Sequence, residues 1–193
     1  MRKPTSLYDL SELNSWSYED DHEIKLMMHN TMQDITSTDK WLYLGADITN
    51  AYWAKIGITS GDLSSRSYSS ANPNYYIFCA FQFKHNVTQE QMRIVEKQLL
   101  HKFDQTFIDL QGNSLRLRHY ESKNLSECYC PINFIYLLDF LHSELFHNHS
   151  CNFITHEYEN DFGEVYGGAV ACVFSPTLDQ ATKLNLLNRL MQS

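Results

Sequence analysis

The chain has 193 residues, of which 43% are hydrophobic and 13% aromatic, so it can bury a full core without disulfides or structural metals. Its formal net charge of −8 argues against a surface that is basic throughout. Polar and acidic residues follow the basic start at 1–3, and the apolar run 132–146 is too short to span a bilayer, so neither a secreted nor a membrane protein is expected. Five cysteines without a paired framework favour the reducing cytoplasm.

The N-terminal region, residues 1–39, is predicted to be a helical extension. Within 18–35 the apolar side chains recur at the spacing of one helix face: Ile24, Met27, Met28, Met32 and Ile35. Methionine-rich stripes of this kind are usually part of a core. The helix is therefore expected to pack on a sheet.

Two segments of alternating character, residues 41–45 and 54–59, predict two strands. A period of two places these apolar side chains on one face: Leu42, Leu44, Ala54, Ile56 and Ile58. The other face receives Tyr43, Lys55, Gly57 and Thr59. If the strands pair through a loop at 47–51, a phenol and an ammonium stand side by side over a glycine that lets a ligand approach the backbone. An ordinary half-buried hairpin shows the same alternation.

A longer helix is predicted to begin after Thr88, because Thr88 and Gln91 have the spacing of a capping box. Its apolar stripe consists of Met92, Val95, Leu99 and Phe103. Glu96 falls inside this stripe, where a carboxylate is costly unless a cation or hydrogen bonds compensate it. The expected partner is either structural, such as Arg66 or a buried hydroxyl, or a divalent metal ion.

Residues 131–193 are predicted to form a helix–strand–strand–helix elaboration that packs on the central domain. A buried helix at 132–146 is followed by strand-like runs at 152–158 and 165–174. The last helix is expected to open at Ser175 and Pro176.

The second half of the chain also holds soft ligands that suit zinc: Cys128, Cys130, His142, His147, His149, Cys151 and His156. The single residue between the first two cysteines matches zinc spacing poorly. Core cysteines and a histidine cluster at a helix end are the favoured interpretation.

Charge is distributed unevenly along the sequence. Residues 40–123 carry ten Lys and Arg against seven Asp and Glu, a net of +3, whereas the remaining residues sum to −11. Phosphate neutralisation requires such a basic segment, although chance variation on solvated faces looks the same. The acidic flanks are expected either to limit nonspecific binding to nucleic acid or to face a protein partner, including a second copy of the chain.

The ordered set of residues resembles the GIY-YIG nuclease superfamily over residues 41–130. Tyr43 stands where the first motif carries its tyrosine, and Lys-Ile-Gly-Ile-Thr at 55–59 is similar to the second motif of a phage and bacterial branch that begins with lysine. Arg66 and Glu96 follow in the order of the family's arginine and metal-binding glutamate. His101 has the spacing of that branch's helix.

The resemblance implies an α/β (α+β) fold with a small antiparallel three-stranded sheet flanked by helices within residues 40–130, carrying N- and C-terminal elaborations. It implies a divalent-metal-dependent endonuclease, with DNA favoured over RNA. Glu96 would bind Mg²⁺ or Mn²⁺, and Arg66 would clamp the phosphate. Tyr43 would orient or deprotonate the attacking water, its pKa lowered by Lys55. A secondary catalytic candidate is His101, and the substrate-binding candidates are Gly57, Thr59, Lys97, Arg116 and Arg118.

Departures from the family pattern favour an alternative. The leading Gly-Ile pair of the first motif is Trp41-Leu42 here, and the aromatic residue four positions after Arg66 is absent. The alternative is a catalytically inactive module that binds nucleic acid or a protein partner.

Overall fold

The structure is a computed structural model that describes residues 22–37, 39–63, 66, 72–159 and 165–192. The helices are α1 (His22–Thr36), α2 (Gln89–Thr106), α3 (Phe134–Asn148) and α4 (Gln180–Leu190). The strands are β1 (Trp41–Asp47), β2 (Asn50–Thr59), β3 (Tyr75–Gln82), β4 (Arg116–Arg118), β5 (Leu125–Tyr129), β6 (Thr155–Glu159), β7 (Val165–Val170) and β8 (Cys172–Phe174). A short 3-10 turn at Ser150–Asn152 follows α3. The mixture of helices and strands confirms the expected α+β class.

The central sheet has six antiparallel strands in the order β4-β5-β2-β1-β3-β8. The three strands expected from sequence are too few, because short strands extend both edges. β4 and β5 extend the sheet beside β2, and β8 brings Phe174 opposite Cys79 of β3. β6 and β7 form a separate hairpin.

β1 and β2 form a tight hairpin whose register pairs Tyr43 with Gly57. β1 runs to Asp47 and β2 begins at Asn50, so the connection is shorter than the predicted 47–51 loop. One oxygen of the Asp47 carboxylate accepts hydrogen bonds from the Thr49 backbone N–H and hydroxyl at 2.7 and 2.6 Å. This local turn chemistry closes the hairpin.

The predicted alternation along the hairpin is confirmed. One face forms the main core with α2 and α3, and its hairpin members are the fully buried Leu42, Leu44, Ala54 and Ile56 and the partly buried Ile58. On the opposite face lies a second apolar cluster of Trp41, Tyr43, Tyr75 and Ala80. Along the hairpin itself, the main-core face therefore buries aliphatic side chains, whereas the other face buries the aromatic Trp41 and Tyr43.

α2 begins as predicted. The Thr88 hydroxyl accepts the Gln91 N–H at 3.2 Å, and Gln91 Oε1 accepts the Thr88 N–H at 2.7 Å, which completes the capping box. The predicted apolar stripe is buried with one addition, Leu100. This packing fixes α2 beneath the sheet and brings Glu96 to the backbone of β2 at Ile58.

The methionine-rich stripe of α1 is not a core element, contrary to the prediction. Met27 and Ile35 are each 65% exposed. Polar contacts hold the end of the helix instead: the Asp34 carboxylate accepts the His85 backbone N–H and lies 2.7 Å from His85 Nδ1. Helical spacing identified the helix but not the way in which it docks. Residues 18–21, where the helix was predicted to start, lie outside the described residues.

Two predicted boundaries in the C-terminal region are wrong. The run 165–174 forms two strands because the pairing partner changes at Ala171, whose N–H donates to the Ile154 carbonyl beside β6 at 2.7 Å while its carbonyl accepts the Gln82 N–H of β3 at 3.0 Å. α4 begins at Gln180 instead of at Ser175 and Pro176, because the Asp179 carboxylate caps it by accepting the Thr182 N–H at 2.9 Å. Within the described ranges, no helix has both the length and the apolar character needed to cross a bilayer.

Candidate active site

Tyr43 projects across the face of the sheet that α2 does not cover, and its ring lies over Gly57. A Cβ atom at Gly57 would stand 2.5 Å from the Tyr43 hydroxyl oxygen, so any other residue there would displace the phenol. The prediction that Gly57 admits a ligand to the backbone is therefore wrong. Gly57 provides space for the catalytic candidate itself.

A second phenol, which sequence reasoning missed, lies beside the first. The Tyr75 ring crosses Gly45, where a Cβ atom would meet the ring at 2.3 Å and its hydroxyl at 2.7 Å. Trp53 packs edge-on against Tyr75 with 6.0 Å between ring centroids. The Tyr75 hydroxyl is buried and has no hydrogen-bond partner among the described residues. Burial raises the Tyr75 pKa, and the nearby Tyr43 raises it further.

Lys55 pairs with Gly45 in the hairpin register, two residues from the Gly57 over which Tyr43 lies. Its Nζ lies 3.6 Å from Glu127 Oε2 of β5. Burial alone lowers the Lys55 pKa, but the negative charges of an ionised Tyr43 and of Glu127 outweigh burial and raise it. Lys55 is therefore a permanent positive charge at neutral pH.

The pKa of Tyr43 is raised, which corrects the expectation of an acidified phenol. Burial is the largest cause, while Lys55 acts in the expected direction and lowers the pKa. Glu127 and Glu96 raise it, and Arg66 lowers it. The phenol is thus protonated at neutral pH, and the two carboxylates help to keep it so.

Glu96 is the most perturbed carboxylate of this group. Burial and the charge of Glu127 raise its pKa to about 7, against the opposing effects of a backbone hydrogen bond from Ile58 and of the Lys55 and Arg116 charges. No ion pair joins Glu96 to a described cation. The Ile58 backbone and the charges of Lys55 and Arg116 therefore compensate only part of the cost of a carboxylate in an apolar stripe.

Arg66 approaches the same group from the segment that follows β2. Arg66 is exposed and has helical backbone conformation, and its Nε donates to the Thr59 hydroxyl at 3.0 Å. The guanidinium is close enough for its charge to lower the Tyr43 pKa. Thr59 is only 3% exposed, so it anchors Arg66 and is badly placed for the direct substrate contact predicted for it.

Four other predicted residues are not brought to the phenols by described contacts. The Arg116 guanidinium makes internal contacts: its Nη1 lies 3.0 Å from Asp104 Oδ2, and its Nε donates to the Ser126 carbonyl. Arg118 donates to the Lys123 carbonyl at 2.9 Å. His101 is exposed beside Gln105, about 140° around α2 from Glu96, and Lys97 is exposed on the same helix.

The predicted zinc ligands do not assemble. In the described part of the chain, no three His, Cys, Asp or Glu side chains converge on a point that suits a metal ion. The buried His142 uses Nε2 to accept the Val170 N–H at 3.2 Å, and Cys151 is exposed. Glu96 and Glu127 both offer the carboxylate oxygens that divalent cations prefer, and of the two only Glu127 has an ion-pair partner among the described residues, Lys55.

The sequence signals for the two missed residues were present but weak. Glu127 lies in the acidic-aromatic segment 127–129, which resembles the strand that closes the domain in the GIY-YIG superfamily, but that resemblance does not indicate that its carboxylate reaches Lys55. Tyr75 follows the turn at 72–74, where Asn72 Oδ1 accepts the Asn74 N–H at 2.9 Å. Only the pairing of β3 with β1 shows that Tyr75 meets Gly45.

Comparisons of the chain with protein-family models, with curated proteins and with solved structures found no match. The charges of Lys55, Arg66, Glu96 and Glu127 all act on the Tyr43 phenol, although Tyr43 and the helix that carries Glu96 lie on opposite faces of the β1–β2 hairpin. Such a set can position an anionic ester, neutralise charge on it and hold a hard cation.

Proposed function

We propose that the chain is a divalent-metal-dependent endonuclease that hydrolyses nucleic-acid phosphodiesters, with DNA favoured over RNA. The observation that carries the proposal is the gathering near the hairpin of the Tyr43 phenol over Gly57, the Lys55–Glu127 ion pair at 3.6 Å and Arg66 bonded to Thr59, with the Glu96 charge acting on Tyr43. Cationic donors beside a carboxylate pair suit phosphoryl chemistry, because phosphate needs both charge neutralisation and a cation.

Glu96 would hold Mg²⁺ or Mn²⁺, and Glu127 would assist it. A carboxylate whose pKa is near 7 and that lacks an ion pair gains more from a cation than one already neutralised. When bound, the ion would polarise the phosphate and lower the pKa of a coordinated water.

Tyr43 would act on the attacking water while Lys55 neutralises the substrate. In the free protein the phenol is protonated, so it first serves as a hydrogen-bond donor and orienting group. Once the charges of Glu96 and Glu127 are neutralised, two influences that raise the Tyr43 pKa are removed and those of Lys55 and Arg66 remain. The balance then shifts towards a phenol that can accept a proton.

Arg66 would clamp the phosphate. Its Nε donates a hydrogen bond to the hydroxyl of the buried Thr59, and this bond fixes the orientation of the guanidinium. A guanidinium held in this way stabilises the charge that grows on phosphate oxygens in the transition state.

The test is a nicking assay on supercoiled plasmid, single-stranded DNA and RNA with Mg²⁺, with Mn²⁺ and with EDTA. We expect metal-dependent cleavage that Tyr43→Phe lowers far more than it lowers affinity, because only the hydroxyl is lost. Lys55→Ala should weaken both cleavage and affinity and reduce the salt dependence of binding. Tyr52→Phe is the matched control, since Tyr52 is 64% exposed on β2. Metal-independent cleavage, or full activity of Tyr43→Phe, would refute the mechanism.

The second candidate is an inactive relative that binds nucleic acid or a protein partner. It is favoured by the Lys55–Glu127 ion pair, which already occupies the ammonium, and by the raised pKa of Tyr43. Binding of nucleic acid without cleavage under any metal condition would select this candidate. The five cysteines are unpaired, which fits the reducing cytoplasm proposed for either function.

A further inference from the structure

The β4–β5 hairpin carries at its tip an aromatic side chain that belongs to neither hydrophobic core cluster. Tyr120 is 89% exposed, although a tyrosine ring is large enough to favour burial. The Lys123 ammonium lies 4.5 Å from the centre of the Tyr120 ring, in the geometry of a cation–π contact. The ring therefore has a cation beside it and large areas open to solvent.

Hydrogen bonds hold this tip in one conformation. Lys123 has a φ of 59°, in the left-handed region that a residue with a side chain seldom adopts. Its N–H donates to the His119 carbonyl at 3.0 Å, and the His119 N–H donates to the Asn124 carbonyl at 2.9 Å. Arg118 Nη1 also donates to the Lys123 carbonyl at 2.9 Å. These bonds fix the turn, so Tyr120 is presented by a defined loop.

The surroundings of Tyr120 suit a flat apolar ring joined to an anion. Arg118, His119 and Lys123 are exposed basic or titratable side chains of the tip, and Glu121 is its single carboxylate. Exposed apolar side chains stand on both strands, with Leu117 at 36% and Leu125 at 43% exposure. A nucleotide offers the matching chemistry, because its base stacks on aromatic rings and its phosphate attracts cations.

The hairpin also joins the tip to the candidate active site. β5 begins at Leu125, and Glu127, whose carboxylate contacts Lys55, is two residues further on. Tyr120 lies two residues beyond Arg118, which pairs with Leu125, so about four residues of strand, roughly 13 Å, separate the tip from Glu127, which is about the length of four stacked nucleotides at roughly 3.4 Å each. A strand whose phosphate lies at the site can therefore extend its neighbouring bases towards the tip.

We propose that the tip of the β4–β5 hairpin is a stacking platform for an unpaired base. Tyr120 stacks on the base, and Lys123 and Arg118 attract the flanking phosphates. The substrate class is therefore single-stranded nucleic acid, or a duplex that contains an unpaired segment. The inference depends on the proposed function only in taking nucleic acid as the ligand of the site.

The test measures binding by fluorescence anisotropy in EDTA, which prevents metal-dependent cleavage, with a labelled single-stranded oligonucleotide and a blunt duplex. We expect Tyr120→Ala to weaken single-strand binding by roughly tenfold or more and to leave duplex binding within about twofold. Tyr120→Phe should retain the wild-type affinity because it keeps the ring. Tyr52→Ala is the control for loss of an exposed tyrosine. Because Tyr120 is exposed, the Tm of each tip variant should match the wild type.

Three results would overturn the inference: unchanged single-strand affinity of Tyr120→Ala, an equal loss for the duplex, or a wild-type chain that binds neither oligonucleotide. Hydrolysis of thymidine 5′-p-nitrophenyl phosphate with Mn²⁺ separates this outcome from failure of the proposed function, since that small diester does not span to the tip. Hydrolysis with no effect of Tyr120→Ala on binding removes the platform alone. Tyr120-dependent binding without any hydrolysis removes the enzyme and keeps the platform.

Discussion

Two carboxylates on α2, Glu96 and Asp104, are eight residues and about 12 Å apart along the helix axis, yet their surroundings differ. Asp104 is satisfied on all sides: it pairs with Arg116 at 3.0 Å and accepts the hydroxyls of Ser114 and Tyr129 at 2.7 and 3.2 Å. Glu96 is influenced by the negative charge of Glu127, and no described cation forms an ion pair with it. The contacts of Asp104 stabilise the fold, whereas the Glu96 carboxylate has no ion-pair partner among the described residues.

The sharpest test of this comparison is Glu96→Gln. We expect it to abolish divalent-dependent cleavage, because an uncharged amide is a poor ligand for Mg²⁺ or Mn²⁺. The measurement is the rate of plasmid nicking with each metal. Glu90→Gln, in the exposed first turn of the same helix, is the control and should cleave normally. A fully active Glu96→Gln would remove Glu96 from the site.

The same variant has a predicted effect on stability that depends on pH. Glu96 has a pKa of about 7 in the folded protein, whereas a free glutamate side chain has a pKa of 4.5. Ionisation therefore destabilises the fold as pH rises through this window, by about 1–2 kcal/mol after allowance for solvent screening. Glu96→Gln should raise the Tm at pH 8 and leave it nearly unchanged at pH 4. An equal shift at both pH values would contradict the linkage.

Arg66→Ala should lower the cleavage rate by about a hundredfold or more, because it removes a positioned stabiliser of transition-state charge. Its exposure predicts an almost unchanged Tm. Cleavage rate and thermal unfolding are measured on the same preparation, with the exposed Arg93→Ala of α2 as the control. A large loss of stability with little loss of cleavage would show that Arg66 is a structural residue.

Asp104→Asn should show the opposite pattern to Glu96→Gln. The change leaves the half-buried Arg116 guanidinium without its anionic partner, and we expect a loss of about 2 kcal/mol in the free energy of unfolding. Cleavage at a temperature where the variant is folded should be near that of the wild type. Urea unfolding measures the first effect and the nicking assay the second. The comparison fails if this variant is as stable as the wild type.

The smallest predicted effect distinguishes two buried phenols. Tyr75→Phe removes a hydroxyl that has no partner among the described residues, so it should stabilise the fold by up to about 1 kcal/mol. Tyr129→Phe removes a hydroxyl bonded to Asp104 and to the Leu100 carbonyl, and it should destabilise by about the same amount. Denaturant midpoints of the two variants provide the measurement. Shifts in the same direction would contradict the assignment of partners.

The features that were predictable from sequence are those that depend on neighbours along the chain. The two-residue period placed Leu42 and Tyr43 on opposite faces, and the capping box located the start of α2. Alternation also placed Lys55 beside Tyr43. Residues a few positions apart decide such features, so the information is local.

The features that were missed depend on pairing between distant segments. The space over Gly45 is filled by Tyr75 only because β3 pairs with β1 in one register. Arg116 was predicted to bind substrate. Its guanidinium instead forms an ion pair with Asp104, twelve residues earlier in the sequence. The net pKa of Tyr43 could not be predicted because burial, which opposes Lys55, is set by the whole sheet.

The pairing of β8 with β3 has a consequence for how the protein is made. The backbone of Cys79, Ala80 and Phe81 gains its edge partners only from Phe174, Val173 and Cys172. A ribosome must therefore synthesise more than ninety further residues before that edge can be covered. Until then the nascent chain exposes an apolar strand that can pair with another chain. Slow translation or truncation before residue 172 should consequently favour aggregation, with β3 as the segment that is captured.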